Sequence, residues 1–385
     1  MNYSTRMVAL GDIATELSDG LHKAPVFYPG AEYIFVNATN LENGRIVDKE
    51  PAKHTNHEEY KKYGVPLSDR TILYSIDGTI GNIARYRGEK VVLGKGACYI
   101  NVDQSCDVDY IYYQLQSPHF TDYIRSMATG STIRHISLRT MRNYVFSLPP
   151  ISLQKRVASI LSSIDRRIEN NSQINDNLQQ QAIAIYESMF TPHTDNDGAL
   201  GALKDIAEIT MGQSPSGSSY NENGIGEVFY QGRAEFGTRF PNRRLYTTEP
   251  KRMAEAGDIL LSVRAPVGDL NVAYERCCIG RGLGAIHSKS GHSSFILYTM
   301  ISLQPQLDVF NGEGTVFGSI NRNALNDLPI QLPAQAAIDE FERMVHPMDD
   351  LIRTNYEENC RLQALRDSLL PRLMSGEIDV SDFTL

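Results

Sequence analysis

Between Leu148 and Phe190, apolar residues recur with alternating steps of four and three. Such a heptad repeat is typical of a long helix that packs along another helix. Two asparagines stand where the apolar seam should continue through its centre. The predicted seam residues are Val157, Leu161, Ile164, Ile168, Asn171, Asn175, Leu178, Ala182, Ile185 and Met189. The pattern therefore predicts one long helix and requires a helical partner.

A second stretch repeats this pattern 184 residues later, as Val157 and Phe341 illustrate. Both asparagines recur in the same register, which indicates internal duplication. Pro347 lies inside the second pattern, and a proline within a helix removes a hydrogen bond, so we expect a kink or short break just before it. The second seam consists of Phe341, Val345, Met348, Ile352, Asn355, Asn359, Leu362, Arg366, Leu369 and Leu373.

The duplication extends into the sequence before each helix. Four pairs of segments occur in the same order: LGDIATELSDG with LKDIAEITMGQ, DRTILYSIDGTIGNIA with GDILLSVRAPVGDLNVA, LGKGA with IGRGLGA, and TGSTIRHISLRTMRNYVFSLPP with EGTVFGSINRNALNDLPIQLPA. Apolar runs such as TILYSI and DILLSV predict strands. Helical spacing predicts helices over 110–127 and 295–307. Each unit is therefore predicted to be a mixed globular domain followed by a long helix.

The predicted fold class is α+β. Two similar globular α/β domains, related by a pseudo-twofold axis, are separated by two long antiparallel helices that form a coiled coil. Antiparallel pairing would bring Asn171 near Asn359 and Asn175 near Asn355, although parallel pairing would also match asparagines. A further alternative is that these residues are exposed where the seam opens. The predicted boundaries are a first globular domain 1–150, a central helix 151–192, a second globular domain 193–333, a C-terminal helix 334–376 kinked near Pro347, and a peripheral tail 377–385.

A helix of about 40 residues spans roughly 60 Å. Two similar domains held apart by such a spacer suit contact with two places on a linear polymer. B-DNA repeats about every 34 Å, so the spacing fits grooves one or two turns apart.

The net charge of −9 is unevenly distributed. Residues 1–150 carry 16 basic and 16 acidic side chains and residues 200–330 carry 12 and 13, whereas residues 331–385 carry 5 and 11. Nucleic-acid binding therefore stays open, because local patches set the field at a phosphate. The sequence has no apolar run near 18 residues, which argues against a membrane span. Five cysteines without a C-x-x-C pair favour reduced thiols in the cytoplasm over a structural zinc site.

Several segments resemble the DNA-specificity subunit of Type I restriction–modification systems, and the resemblance covers essentially the whole chain. They are LPPISLQKRVASILSSIDRRIENN, LPAQAAIDEFERMVHPMDDLIRTN, LLPRLMSGEI, GQSPSGSSYNENGIGEVFYQG and GDILLSVRAPVGDLNVA. The resemblance implies a cytoplasmic, non-catalytic subunit of a phage-defence system, with two target-recognition domains that each read one half of a bipartite, asymmetric DNA sequence.

The same resemblance implies the partners and cofactors. The chain is expected to bind double-stranded DNA and two modification subunits, which methylate adenine with S-adenosylmethionine. The complete complex would add two restriction subunits that use ATP and Mg²⁺, whereas the chain itself would bind no cofactor.

Candidate DNA-binding residues are those with donor groups for base edges and phosphates in loops. Asp77 is included because it occupies the place of Arg264 in the other repeat, as expected if the domains read different half-sites. The first domain supplies His22, Lys23, Asp77, Lys95, Arg134, His135 and Arg139. The second supplies Gln213, Ser214, Ser218, Tyr220, Gln231, Arg233, Arg239, Arg243, Arg244, Arg264 and Arg281.

Two alternatives remain. The chain could be a helical scaffold whose globular domains bind protein, or a self-contained DNA methyltransferase. The segment FNGEG at 310–314 matches an S-adenosylmethionine signature, but the chain has no N-P-P-[FY] or D-P-P-Y motif and no Walker A sequence. His54 and His57, with Glu58, form a weak candidate metal pair, and Glu249 with Lys251 only partly resembles a nuclease motif.

Overall fold

The computed structural model describes residues 5–49, 51–128, 135–190, 199–312 and 318–381. These residues form two compact units. One is drawn from Met1–Asn170 and Glu358–Leu385, and the other from Asn171–Glu357. Each unit thus combines one globular domain with segments of both long helices.

The first globular domain is built from short strands and four helices within its described residues. Its strands are β1 (Arg6–Ala9), β2 (Ala14–Asp19), β3 (Tyr33–Val36), β4 (Leu41–Glu42), β5 (Arg45–Ile46), β6 (His54–Thr55), β7 (Thr71–Ser75), β8 (Ile83–Arg85), β9 (Val91–Leu93), β10 (Ala97–Val102) and β11 (Val145–Leu148). Its helices are α1 (His57–Tyr63), α2 (Val108–Gln114), α3 (Pro118–Met127) and α4 (Leu138–Arg142), and the long helix α5 (Ile151–Phe190) follows. Short 3₁₀ helices lie at Leu10–Asp12 and Ala38–Asn40.

The second globular domain has the same kinds of element. Its strands are β12 (Ala199–Ala202), β13 (Ala207–Met211), β14 (Tyr220–Asn221), β15 (Glu227–Tyr230), β16 (Leu245–Thr247), β17 (Met253–Ala254), β18 (Ile259–Ser262), β19 (Leu270–Val272), β20 (Cys277–Ile279), β21 (Leu283–Ser288) and β22 (Pro329–Leu332). Its helices are α6 (Leu203–Ile206), α7 (Ser293–Ser302), α8 (Gln304–Asp308) and α9 (Arg322–Asn326), followed by α10 (Gln335–Met374). Short 3₁₀ helices lie at Gly217–Ser219, Arg233–Glu235 and Val309–Asn311.

Both domains share the central part of one sheet topology, although the sheet around the parallel pair has three strands in the first domain and five in the second. An antiparallel sheet has the order β2-β10-β7-β8 in the first domain and β13-β21-β18-β19 in the second. A parallel pair, β3 with β9, recurs as β15 with β20, and a two-stranded ribbon, β1 with β11, recurs as β12 with β22. The predicted pair of similar α+β domains is therefore confirmed.

The central strands β7 and β18 are buried along their whole length because both of their faces are covered. In β7, Ile72 and Tyr74 pack into the core beneath the helices, whereas Leu73 packs into a separate cluster with residues of β9. In β18, Leu261 likewise packs into one core and Leu260 into another. Alternate side chains point to opposite faces of a strand, so each strand joins two apolar layers.

The helical segments predicted over 110–127 and 295–307 are each divided in two. In the first domain α2 ends before α3 begins at Pro118, where the Ser117 side chain accepts a hydrogen bond from the Phe120 amide. In the second, α8 begins next to Pro305. The residue before a proline disfavours the helical conformation, and proline is well accommodated in a first helical turn. Periodicity alone did not locate these breaks.

Segments of α5 and α10 pack antiparallel within each unit. In the first unit, Arg366 Nη1 lies 3.1 Å from Asp165 Oδ1, and Asn359 Nδ2 donates to the Ile168 carbonyl at 3.3 Å. In the second, Asn355 Nδ2 donates to Asn175 Oδ1 at 2.8 Å, which confirms the predicted pairing of these two residues. All predicted seam positions are buried or half-buried. A side-chain hydrogen bond within an apolar seam favours one register over its neighbours.

Helix α10 is continuous through Pro347, so the short break expected before this proline was wrong, whereas the kink stays a prediction. The missing hydrogen bond costs about 3 kcal/mol. Phe341, Val345 and Ile352, on either side of the proline, are fully or almost fully buried. Each contributes roughly 1.5–3 kcal/mol by burial, so packing outweighs the lost hydrogen bond.

Pro347→Ala should therefore stabilise the protein by about 1–3 kcal/mol, because it restores a backbone donor in an exposed position without altering the seam. Denaturant unfolding of the purified chain measures the change. Thr354→Ala, at another exposed position of α10, is the matched control and should shift stability by no more than about 0.5 kcal/mol. An unchanged or lowered midpoint for Pro347→Ala would show that the proline is accommodated without cost.

The C-terminal tail was expected to be peripheral, and this was wrong for its described part. Val380 is buried in the core of the first unit, and the Arg156 guanidinium donates to the Ser381 carbonyl. Ile378 also packs against this core, but two apolar residues among acidic ones are too few for a periodic pattern, so the sequence did not reveal this packing.

No helix among the described residues is both long and apolar enough to cross a membrane. Four of the five free cysteines are buried and Cys360 is exposed. Burial raises the pKa of the Cys277 thiol to about 12, which keeps it protonated.

Candidate nucleic-acid interface

The loop between β20 and β21 forms the centre of the candidate site in the second domain. Its backbone is held by neighbouring segments: Gly280 N donates to the Tyr230 carbonyl at 2.8 Å, and Gln213 N donates to the Ile279 carbonyl at 3.0 Å. A Cβ atom on Gly280 or Gly282 would lie 2.8 or 2.9 Å from the Gln231 carbonyl oxygen. The close approach of three backbone segments thus explains both glycines around Arg281.

Two arginines lie at neighbouring backbone positions at this loop. Val263 N donates to the Gly282 carbonyl at 2.9 Å, and Arg264 and Arg281 are the next residues on either side of this bond. Both side chains are exposed. Among the described residues, neither guanidinium has a carboxylate within 4.0 Å. Both charges are therefore exposed, without a carboxylate partner in the part of the chain that the structure describes.

Polar side chains surround these arginines. Gln213 and Gln231 are exposed, and Ser214 Oγ accepts a hydrogen bond from the Arg281 amide at 3.2 Å. We call this set the second-domain surface; it consists of Gln213, Ser214, Gln231, Arg264 and Arg281. Guanidinium and amide groups are the donors that pair bidentately with purine edges in the major groove. Five residues predicted from separate parts of the sequence thus lie together.

The remaining arginines predicted to contact DNA in the second domain are paired with carboxylates. Arg239 is the extreme case, since only 11% of its side chain is exposed where it meets Asp349. This burial favours a structural role over DNA contact for Arg239. The exposed arginines of this group pair as Arg233 with Asp269, Arg243 with Glu275 at 2.5 Å, and Arg244 with Glu235 at 2.6 Å. Their contact with DNA stays a prediction, and each would have to share its charge with the protein.

Ser218 and Tyr220 stabilise their own loop. Ser218 Oγ lies 2.8 Å from Ser216 Oγ, and the Tyr220 hydroxyl donates to the Pro215 carbonyl at 3.1 Å. The Tyr220 ring packs on Phe229, with centroids 4.8 Å apart. These contacts shape the loop that begins at Gln213 and leave DNA contact by the two residues untested.

The first domain has the same backbone arrangement with different charges. A bridge between Asp77 and His135 corresponds to one between Arg264 and Ser319, so Asp77 occupies the position of Arg264, as predicted. Lys95, in the loop that corresponds to Gly280–Gly282, lies 3.2 Å from the Asp77 carboxylate. The cation of this loop is therefore paired with a carboxylate in the first domain, whereas in the second domain no described carboxylate pairs with it.

The other predicted residues of the first domain are less closely grouped. His22 is exposed and lies 3.0 Å from Asp19, and Lys23 follows it in an exposed loop. His135 lies 3.9 Å from Asp77, and Arg139 is exposed on α4. Arg134 lies outside the described residues.

A group of exposed apolar residues beside Lys23 was missed in the sequence. Val26, Phe27 and Tyr28 are all exposed, and Thr55 Oγ1 donates to the Val26 carbonyl at 2.7 Å. The Phe27 ring lies 5.6 Å from Lys53 Nζ. The sequence signal was an apolar triplet flanked by Pro25 and Pro29. Prolines on both sides are typical of a loop, so the triplet could have been predicted to be exposed.

The weaker motifs have local structural explanations. His54 pairs with Asp48 at 2.7 Å and His57 with the Tyr33 hydroxyl at 2.8 Å, so the two rings serve separate contacts. In FNGEG, the Asn311 side chain binds both backbone groups of Val267, and Gly314 lies outside the described residues. Glu249 and Lys251 are exposed.

Comparison with known proteins places this architecture. The family described as the Type I restriction modification DNA specificity domain matches the chain twice, over residues 5–180 and 199–365. A putative type I restriction enzyme MjaX specificity subunit from Methanocaldococcus jannaschii is 29% identical over 405 residues, covering 96% of this chain and 93% of that protein. The type I restriction enzyme HindI specificity subunit from Haemophilus influenzae is 21% identical over 364 residues, covering 70% and 77%.

A solved structure, the Type-I restriction-modification system S subunit from M. genitalium, has a TM-score of 0.60 with 16% identity, and the match covers 97% of this chain and 96% of that one. At this identity the likeness shows the fold alone. The two family matches coincide with the two copies of the duplicated unit, and together they span most of the sequence. The chain therefore belongs to the family of Type I restriction–modification DNA specificity subunits.

Proposed function

We propose that each globular domain reads one half of a bipartite, asymmetric DNA target, and that the chain thereby directs adenine methylation and restriction by its partner subunits. The observation that carries this proposal is the pair of exposed arginines, Arg264 and Arg281, on the second-domain surface, neither of which is paired with a carboxylate of the described residues. Their counterparts in the first domain are Asp77 and Lys95, which form an ion pair.

The difference in charge supports different half-sites. Arginine pairs bidentately with the O6 and N7 acceptors of guanine, whereas a carboxylate accepts from the cytosine amino group. Arg264 and Asp77 occupy equivalent backbone positions in the two domains. The second domain therefore offers DNA a hydrogen-bond donor where the first domain offers an acceptor. We propose that this contrast makes the target asymmetric.

The chain is a recognition subunit, and catalysis belongs to its partner subunits. We propose a complex with two modification subunits that use S-adenosylmethionine, joined by two restriction subunits that use ATP and Mg²⁺, acting on DNA in the cytoplasm. The net charge of −9 opposes a polyanion, so the free chain should bind DNA weakly and the assembled complex should supply most of the affinity.

The test is methylome sequencing of a host without adenine methylases of its own, in which this chain is expressed with its modification subunit. The expected result is one bipartite motif, methylated on one adenine in each half. Exchanging residues 200–330 for the corresponding domain of a relative should change one half of the motif and leave the other intact. Absence of new methylation, despite a purified complex of the two proteins, would instead support a scaffold.

A further inference from the structure

The two-stranded ribbons of the two domains present a second kind of repeated surface. In the first domain β1 pairs with β11 so that Met7 lies opposite Ser147, and in the second β12 pairs with β22 so that Leu200 lies opposite Gln331. The two registers correspond residue for residue. Side chains alternate across a strand, so Met7 and Leu200 occupy the same outward position in their own domains.

These outward positions are apolar and exposed. Leu200 is 85% exposed and Met7 68%, whereas the residues that follow or face them on the inward side, such as Val8 and Phe146, are buried. A lone exposed apolar residue needs no explanation, but the same exposure at the same register of two duplicated ribbons does.

In the first domain the exposed residue borders an apolar groove. The groove has a volume of about 460 Å³, and its lining includes Met7, Val145, Pro118, Pro371 and Met374. Val145 is itself exposed and lies on the outward face of the ribbon, two positions from Ser147. The site therefore combines a projecting apolar side chain with a concave apolar wall, the form of an anchor point in a protein interface.

The likeness of the ribbons distinguishes their partner from DNA. Surfaces that read the two halves of an asymmetric target must differ, as Arg264 and Asp77 do. Surfaces that bind two copies of one protein must instead be alike. The repeated apolar position fits a partner present in two copies, one per ribbon.

We infer that the outward faces of the two ribbons are docking points for the two modification subunits, one centred on Met7 and the other on Leu200. This inference rests on the proposed function, which supplies a partner in two copies. It assigns to each docking point an apolar anchor on a ribbon, and in the first domain Pro371 and Met374 of α10 complete the adjoining groove.

The test uses the co-expressed complex with Met7→Asp, Leu200→Asp and the double variant. Native mass spectrometry should show two modification subunits bound to the wild-type chain, one bound to each single variant and none bound to the double variant. Titration of each single variant with modification subunits should show two binding events, one of them weakened by tenfold or more. Val309→Asp is the matched control, since Val309 is 80% exposed in the second domain but lies outside the ribbon.

The outcomes separate this inference from the proposed function. If both single variants retain two modification subunits, the ribbons are not docking points, even though wild-type complex still methylates a bipartite motif. If the wild-type chain forms dimers that Leu200→Asp dissolves, a second copy of this chain is the occupant and the inference is overturned. If either aspartate variant shows no unfolding transition, and so fails to fold, Met7→Gln and Leu200→Gln replace it. These substitutions retain the side-chain volume and should still lower the number of modification subunits bound.

Discussion

Replacing Arg264 or Arg281 with alanine should lower the rate at which the assembled complex methylates its target by about tenfold to a hundredfold at limiting DNA. A bidentate contact between arginine and a base contributes about 1–3 kcal/mol of discrimination, and each 1.4 kcal/mol is a factor of ten. Neither arginine has a carboxylate partner among the described residues, so its loss should act on DNA binding and leave the fold intact. Methylation kinetics on a duplex that contains the motif, at fixed salt concentration, measure the effect.

Arg233→Ala is the matched control for this prediction. Arg233 is an exposed arginine of the same domain, but it is paired with Asp269, so its removal should lower the rate less than either of the other substitutions. The thermal midpoint should be the same for all three variants. Unchanged methylation in both Arg264→Ala and Arg281→Ala would exclude the second-domain surface as the reader of a half-site.

Asp349→Ala should destabilise the second unit by about 3–5 kcal/mol, because it strands a buried arginine charge. The Asp349 carboxylate pairs with Arg239 and accepts from the Tyr298 hydroxyl at 3.0 Å, and only 16% of its side chain is exposed. Burial raises the pKa of Tyr298, which keeps its hydroxyl protonated as a donor to Asp349. Denaturant unfolding of the purified chain, followed by circular dichroism, measures the loss.

The double variant Arg239→Met, Asp349→Leu tests the cause. Replacing both charges with apolar groups of similar volume removes the stranded charge, so most of the lost stability should return. The bipartite motif should be the same for wild type and the double variant. A changed motif with unchanged stability would assign Arg239 to DNA recognition after all.

The long helices and the duplication were predictable because their patterns are local. A heptad repeat needs only the spacing of Val157, Leu161 and Ile164, and the recurrence of Asn171 as Asn355, 184 residues later, reveals the common register. The two family matches follow the same repeat. By contrast, the continuity of α10 through Pro347 depends on packing, which the sequence of the helix alone does not specify.

The functional surface was only partly predictable. The convergence of Gln213, Gln231 and Arg281 follows from the glycine-bounded loop and the repeat. The carboxylate partners of the arginines could not be predicted from the sequence, because Arg239 pairs with a carboxylate 110 residues away and Arg233 with one 36 residues away. Sequence proximity grouped these arginines, whereas the fold distributes them among separate ion pairs.

The adjacent positions of Arg264 and Arg281 have a consequence for the unbound state. The hydrogen bond from Val263 N to the Gly282 carbonyl fixes the backbone positions of both residues. A polyanion that binds both side chains would neutralise two charges at once. The backbone therefore presents a preorganised pair of cations, and salt, which screens their field, should weaken the association.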